Sequence, residues 1–461
     1  MGLWDYRDDK GFPVWAGIRN IVATQLEINE KGYNSTIHAP TSRFDYVFRY
    51  PLEHFRVTKD MFSPNKNKYD ACFFVPAVVL VNNSADPTKK TDRVYEGYYN
   101  KFDHNLVFQI PHQGEFTRQV KGIEPSNIYY FPTIQIFAKL TEIFHTYFTN
   151  KKERNFFLEI AQKTEAISKA TVSKARALKL LNGIKAHLHF YRLFVRKVAE
   201  RVPGKKVFLD GGCYLGLNAI LSWHFHSQGF TIIESQHGYI GPNHYAYNYP
   251  TEIFNLPGVQ EVFPDYFLTF GEKWGQDISI PSQIIPVGNK YLEGYVGTIQ
   301  SEKEDKQTIL VVSQGTVTER MVEIAKAVAT AFPEKKIIYK LHPGEIPFKE
   351  RYQELEAFTN IEIIGFKNIL PLIAKAKYIV GYNSTSLFEA LAFPGKVIFC
   401  LPNSYTCGEK GFNLFDNSEQ LIQMIRNQQG KISDGVAEEY WSKDWESNVK
   451  RLPFLTTGEP L

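Results

Sequence analysis

From Lys205 onward the chain repeats one local pattern, and that pattern leaves few folds open. A short apolar run ends in a small or polar turn, a helix-spaced segment follows, and another apolar run begins. KKVFLD leads into the turn GGCYLG, LNAILSWHFHSQ reads as helix, and FTIIES reads as strand again. DYFLTF at 265–270 and IIPVG at 284–288 are two further short strands. The charged stretch SEKEDKQ at 301–307 reads as a linker, after which the alternation restarts. Strands TILVVSQ, KKIIYKLHP, IEIIG, KYIVGYN and KVIFCL are separated by helices ERMVEIAKAVATAF, FKERYQELEAF, NILPLIAKA and SLFEALAF. Such alternation predicts parallel sheets covered by helices on both faces.

A chain of 461 residues is too long for one ordinary core, and 43% hydrophobic with 15% aromatic residues supplies ample packing material. Residues 1–150 show strand-like runs at 71–81 and 105–110 and no motif whose chemistry is legible. From 152 to 202 apolar residues recur at three and four, which predicts one or two long amphipathic helices ended by Pro203 and Gly204. The formal charge of +4 is unevenly spread: residues 151–206 carry fifteen bases against four acids. That face could meet anionic lipid or a charged polysaccharide, or be a solvated helix face; no nucleic-acid-binding module is recognisable. The apolar run 73–81 is interrupted by Pro76 and is well short of the ~20 residues a membrane helix needs. The start MGLWDYRDDK lacks the pattern of a secretion signal, which gives a cytoplasmic expectation. Cys72, Cys213, Cys400 and Cys407 are scattered, as expected for reduced thiols, without zinc-site spacing.

In open α/β sheets ligands bind beyond the carboxyl ends of the strands, so the residues after each strand are the candidates. Asp210 ends a strand before Gly211 and Gly212; it is either a general base on a sugar hydroxyl or a turn aspartate. Glu234-Ser235-Gln236-His237-Gly238, with His244 beyond, places an imidazole at a strand end with a carboxylate able to hold its tautomer. Lys340-Leu341-His342-Pro343-Gly344-Glu345 turns a histidine toward a phosphate or a sugar. Asn383-Ser384-Thr385-Ser386 opens a helix whose free amides suit phosphate, and Glu389 one turn on either completes a capping box with Ser386 or holds ribose hydroxyls. Ser313-Gln314-Gly315-Thr316 is a further candidate for diphosphate or sugar. Neither a P-loop nor a strand-linked dinucleotide fingerprint occurs.

Asp-Gly, then QHG, then HP, then an S-T-S helix start is an order of motifs that resembles the GT-B glycosyltransferases of bacterial surface polysaccharide synthesis. Over about 205–430 the chain is similar to bacterial sialyltransferases and Kdo transferases, and to teichoic acid polymerases that use CDP-glycerol. The resemblance implies an α/β GT-B fold, two Rossmann-like domains facing a central cleft, with a long helical insertion in the N-terminal half. Residues 1–300, including the basic helical segment 151–203, would form the acceptor-side domain, 305–430 the nucleotide-sugar-binding domain, and 431–461 a helical tail that packs back. Asp210, His237 and Glu234 are the catalytic candidates. The donor would lie against Ser313, Gln314, Gly315, Lys340, His342, Pro343, Asn383, Ser384, Thr385, Ser386 and Glu389. The acceptor would meet Gly211, Gly212, Gln236, Gly238 and His244.

The expected reaction is sugar transfer from a nucleotide sugar, a CMP-linked acid sugar ahead of UDP, GDP or TDP sugars. The expected acceptor is a capsule, O-antigen or lipopolysaccharide glycan, free or lipid-linked, met in the cytoplasm or at the inner face of the membrane through the basic helices. No metal and no cofactor are expected, since helix dipole and side-chain donors can stabilise the leaving phosphate. The alternatives are a teichoic-acid-type CDP-polyol phosphotransferase and an enzyme like UDP-GlcNAc 2-epimerase, which shares the scaffold.

Overall fold

A computed structural model of the chain describes residues 3–8, 10–30, 67–76, 79–82, 89–110, 128–130, 151–168, 174–211, 218–242, 244–299, 305–315, 317–365, 367–402, 409–432 and 435–455. Fifteen strands are present among them: β1 Ala71–Pro76, β2 Leu80–Asn82, β3 Lys90–Asp92, β4 Asn105–Ile110, β5 Ile128–Tyr130, β6 Lys206–Leu209, β7 Thr231–Ser235, β8 Tyr266–Thr269, β9 Gln283–Pro286, β10 Asp305–Val312, β11 Lys336–Lys340, β12 Ile361–Ile364, β13 Ala376–Gly381, β14 Val397–Cys400 and β15 Phe412–Leu414. Seven of them build one sheet in the order β5-β4-β1-β6-β7-β8-β9, and six build a second in the order β12-β11-β10-β13-β14-β15. Every neighbouring pair in both sheets is parallel.

Counted along the chain within each sheet, both follow the doubly wound order 3-2-1-4-5-6, the first with a seventh strand added at its edge. These are two Rossmann-like α/β domains, the architecture of the GT-B fold. The strands are apolar runs because helices cover both faces; β1 is buried along its whole length. Strand order reverses between β1 and β6 in the first sheet and between β10 and β13 in the second. Those two switch points are where an open sheet leaves a crevice.

Local readings and structure differ in four places. The apolar run 71–81 is two strands, because Pro76 has no N–H to continue the ladder, and β2 turns away to pair antiparallel with β3. Of the charged stretch 301–307, the part from Asp305 on is strand rather than linker, since β10 begins there, and 301–304 lie outside the described residues. FKERYQELEAF lies in a 3-10 segment, Pro343–Ala357, interrupted at Phe348. β15 and the helix Ser418–Arg426 were not anticipated.

The basic segment forms two helices, Lys151–Ser168 and Lys174–Arg201, tied by Lys185 and Glu153 at 2.8 Å. Phe194 packs edge-on against Phe108 of the first sheet, with ring centroids 5.0 Å apart. Lys151, Arg154 and Arg196 stay exposed. Among the described residues no helix is long and apolar enough to cross a membrane.

The end of the chain returns to the first sheet. The Trp441 ring stacks on Phe270 at 4.9 Å, while its indole N–H donates to the Phe388 carbonyl in the second domain at 2.9 Å. Trp274 donates to the Tyr440 carbonyl at 2.7 Å, and the Ser442 N–H to the Phe270 carbonyl at 2.7 Å. Gly288 makes room for this passage: it has φ +90°, and a Cβ there would collide with the Ser442 carbonyl oxygen. Gly288→Ala should therefore destabilise the protein by about 1–3 kcal/mol from backbone strain alone. The expected readings are a lower denaturation midpoint and faster chymotryptic cleavage at Trp441 and Trp445.

Candidate active site

Asp210 follows β6, directly at the first switch point, and is only 1% exposed. Its Oδ1 lies 3.3 Å from Nδ1 of His237, which follows β7 and keeps 19% of its side chain exposed. Gln236 fixes the turn between strand and histidine: its Oε1 accepts from the Phe270 N–H at 2.8 Å, and its Nε2 donates to the Gly238 carbonyl at 2.8 Å. Glu234 is fully buried and accepts from the Tyr247 hydroxyl at 2.9 Å. Burial by itself would lower the His237 pKa, but the charge of Asp210 beside it, with Glu234 behind, outweighs it and raises the pKa above the ordinary imidazole value. His244 sits beyond, its ring 5.0 Å from that of Tyr247. Gly211 has φ +63°, and Gly212 lies outside the described residues.

Sequence reasoning missed the loop that completes this edge. Asp92, at the end of the hairpin strand β3, is buried and accepts from the N–H groups of Val94 and Tyr95 at 2.9 Å each and from the Tyr99 hydroxyl at 2.6 Å. Burial, opposed by those bonds and aided by the charge of Asp210, pushes its pKa up to about 6. The turn it secures carries Arg93. No side chain caps the short helix Glu96–Tyr99 that follows, and nothing in the local sequence ties that turn to Asp210.

On the second domain Ser313 follows β10 and His342 follows β11. Both are gathered by Glu345, a buried carboxylate that accepts from the Ser313 hydroxyl, the Tyr352 hydroxyl and, at 3.1 Å, the His342 N–H. The His342 side chain is exposed; Gln314 is half-buried and Gly315 exposed. Lys340 points elsewhere: its Nζ donates to the carbonyls of Leu341 and Gly365 at 2.7 and 2.6 Å, and burial lowers its pKa to about 8. Pro343 begins the 3-10 segment, and its side chain and Thr316 fall outside the described residues. After β13, Asn383 is half-buried and Ser384 caps the helix Thr385–Leu391, accepting from the Ser386 N–H at 3.2 Å. The cap is thus Ser384, whereas the Ser386 hydroxyl bonds Glu389. Burial raises the Glu389 pKa, with Arg93 and Ser386 opposing.

The two edges touch. The Tyr239 N–H donates to Thr385 Oγ1 at 3.1 Å, and a Cβ on Gly238 would stand 3.6 Å from the same oxygen. Asn368 donates to the Tyr291 hydroxyl at 2.6 Å, and Arg93 and Glu389 approach to 3.7 Å. His237 of the first domain and Glu389 of the second therefore border one cleft. Among the described residues no group of three or more His, Cys, Asp or Glu side chains is placed to hold a metal ion.

No family model matches this chain, and no curated protein matches it. Among solved structures it is similar to UDP-GlcNAc 2-epimerase from Methanocaldococcus jannaschii, 13% identical over 82% of this chain and 98% of that one, with TM-score 0.44. It is similar to UDP-GlcNAc 2-epimerase from Neisseria meningitidis bound to UDP-GlcNAc, 12% identical over 82% and 98%, with TM-score 0.47. A glycosyltransferase from Rickettsia africae ESF-5 is 14% identical over 83% and 94%, with TM-score 0.37.

The electrostatics can be checked directly. Asp210→Asn removes the leading cause that holds the His237 pKa up and leaves the burial that pulls it down. NMR titration should find the His237 pKa above that of a free imidazole in the wild type and lowered in the variant.

Proposed function

We propose that this protein is a glycosyltransferase, moving a sugar from a nucleotide-sugar donor on its second domain to a glycan acceptor entering over its first. The observation that carries the reading is the Asp210–His237 pair at the carboxyl edge of one parallel sheet, bordering the cleft that Glu389 borders from the other. Glycosyl transfer needs a base for the acceptor hydroxyl and stabilisation of the departing phosphate.

With Nδ1 turned to Asp210, His237 receives the acceptor proton at Nε2 in this reading. As the acceptor oxygen bonds to the anomeric carbon, its proton passes to Nε2 and the bond from that carbon to the donor phosphate oxygen breaks. Asp210, too buried to meet the acceptor itself, holds the tautomer and stabilises the imidazolium; Glu234 adds negative charge behind it. On the donor side Glu389 binds ribose hydroxyls, and His342 with the turn 384–386 receives phosphate. That pairing of an HP turn with a serine/threonine turn favours a CMP-linked acid sugar. The exposed bases Lys151, Arg154 and Arg196 suit an anionic surface glycan or the lipid that carries it at the inner face of a membrane.

The test is acceptor-dependent nucleotide release from CMP-, UDP-, GDP- and TDP-sugars. Turnover is expected with a CMP-sugar, and His237→Ala should lower kcat by about 10²–10⁴-fold. A protonated imidazole accepts no proton, so the rate should rise as pH climbs through the raised His237 pKa, and Asp210→Asn should move that rise to lower pH. Conversion of UDP-GlcNAc without an acceptor would replace this reading with epimerisation, and lack of turnover with every donor would reject it.

A further inference from the structure

We infer that Arg93 joins His342 and the turn 384–386 in binding the phosphate of the incoming nucleotide, exchanging Glu389 for that phosphate as the ribose takes Glu389 over. The inference rests on the transferase reading and adds to it a residue of the first domain that reaches the donor across the cleft.

Arg93 is built to stay in place. It directly follows β3, its own N–H donates to the Val79 carbonyl at 3.2 Å, and Asp92 beside it fixes the next two N–H groups. The hairpin that carries it leaves the sheet after β1, one of the two strands flanking the first switch point. The Glu389 it faces lies on the helix that follows β13, which flanks the second. A single guanidinium therefore stands between the two crevices where open sheets bind ligands.

Its bonding is incomplete. The approach to Glu389 is 3.7 Å, an ion pair beyond hydrogen-bond reach, with Arg93 31% and Glu389 14% exposed. Among the described residues the guanidinium donates no other hydrogen bond, so its planar fork of five N–H groups is largely unspent in a half-buried position. A fork of that kind matches two oxygens of a phosphate bidentately. Glu389 also gains from the exchange, because its burial penalises a lone charge and ribose hydroxyls give it donors in place of a distant cation. Arg93 also acts electrostatically on His237, opposing the rise in its pKa, so the guanidinium and the proposed base share one region of the cleft. Arg93 breaks no bond; it neutralises the phosphate that leaves with the nucleoside.

The experiment is calorimetric titration of wild type, Arg93→Gln and Arg93→Lys with cytidine, CMP, CDP, uridine, UMP, UDP, guanosine, GMP, GDP, thymidine, TMP, TDP and inorganic pyrophosphate, with thermal melting to confirm folding. For the base that wild type binds, Arg93→Gln should weaken the mono- and diphosphate by about 10–100-fold, as for loss of a charged hydrogen bond. Nucleoside affinity should stay equal or rise, since Glu389 is released. Arg93→Lys, keeping the charge without the fork, should fall between them, and it reads the same ratio if the glutamine variant does not fold. Equal losses for nucleoside and nucleotide would show that Arg93 only holds the halves together and would overturn the inference. Pyrophosphate binding as tightly as the nucleotides would overturn it too, in favour of a free-anion site. If wild type binds none of the probes, the transferase reading falls and this inference with it.

Discussion

Trp441 ties the two halves into one object: its ring lies on Phe270 of the first domain and its N–H holds a carbonyl of the second. An indole buried on both sides removes a large apolar surface from water and leaves one polar atom that must find a partner. Here that partner belongs to the helix that carries Glu389. The strap thereby keeps the strand ends of one sheet opposed to those of the other, and Thr385 comes within hydrogen-bond distance of the Tyr239 N–H. Everything argued about the cleft depends on that opposition.

Within the cleft the dominant physical fact is an excess of buried acid over buried base. Asp92, Asp210 and Glu234 are all nearly inaccessible, and each has a different means of bearing its position. Asp92 is wrapped in donors and still has a raised pKa; Glu234 has a tyrosine hydroxyl; Asp210 has His237. In a medium of low dielectric such charges act on one another at range, so the imidazole is held more basic than its burial would allow. The second domain handles its own buried acid differently: Glu345 is spent on organising the loops after β10 and β11.

Periodicity made the architecture legible. A run such as Asn105–Ile110 can be a central strand because every residue in it tolerates burial, and the spacing after Lys174 can be a helix because its apolar residues share one face. The same reasoning marks strand ends, which is why Asp210, His237, His342 and Ser384 could be named. It gave no access to Arg93 or Asp92, and it named Glu345 only as the end of the turn after Lys340, without a role. Arg93 and Asp92 sit in a short polar hairpin with no pattern of its own, and the Glu345 partners Ser313 and Tyr352 lie outside that turn.

The sequence by itself determined two parallel, helix-covered sheets and the loops that stand at their carboxyl edges, because hydrophobic spacing and turn residues act over a few positions. Only the tertiary structure decided which of those loops meet. Arg93 and Glu389 are nearly three hundred positions apart, and so no local preference relates them. Their approach follows from strand order, which sets both switch points, and from the packing of a returning tail through the space that Gly288 leaves. Those are properties of the whole buried surface, summed over contacts that no single segment contains.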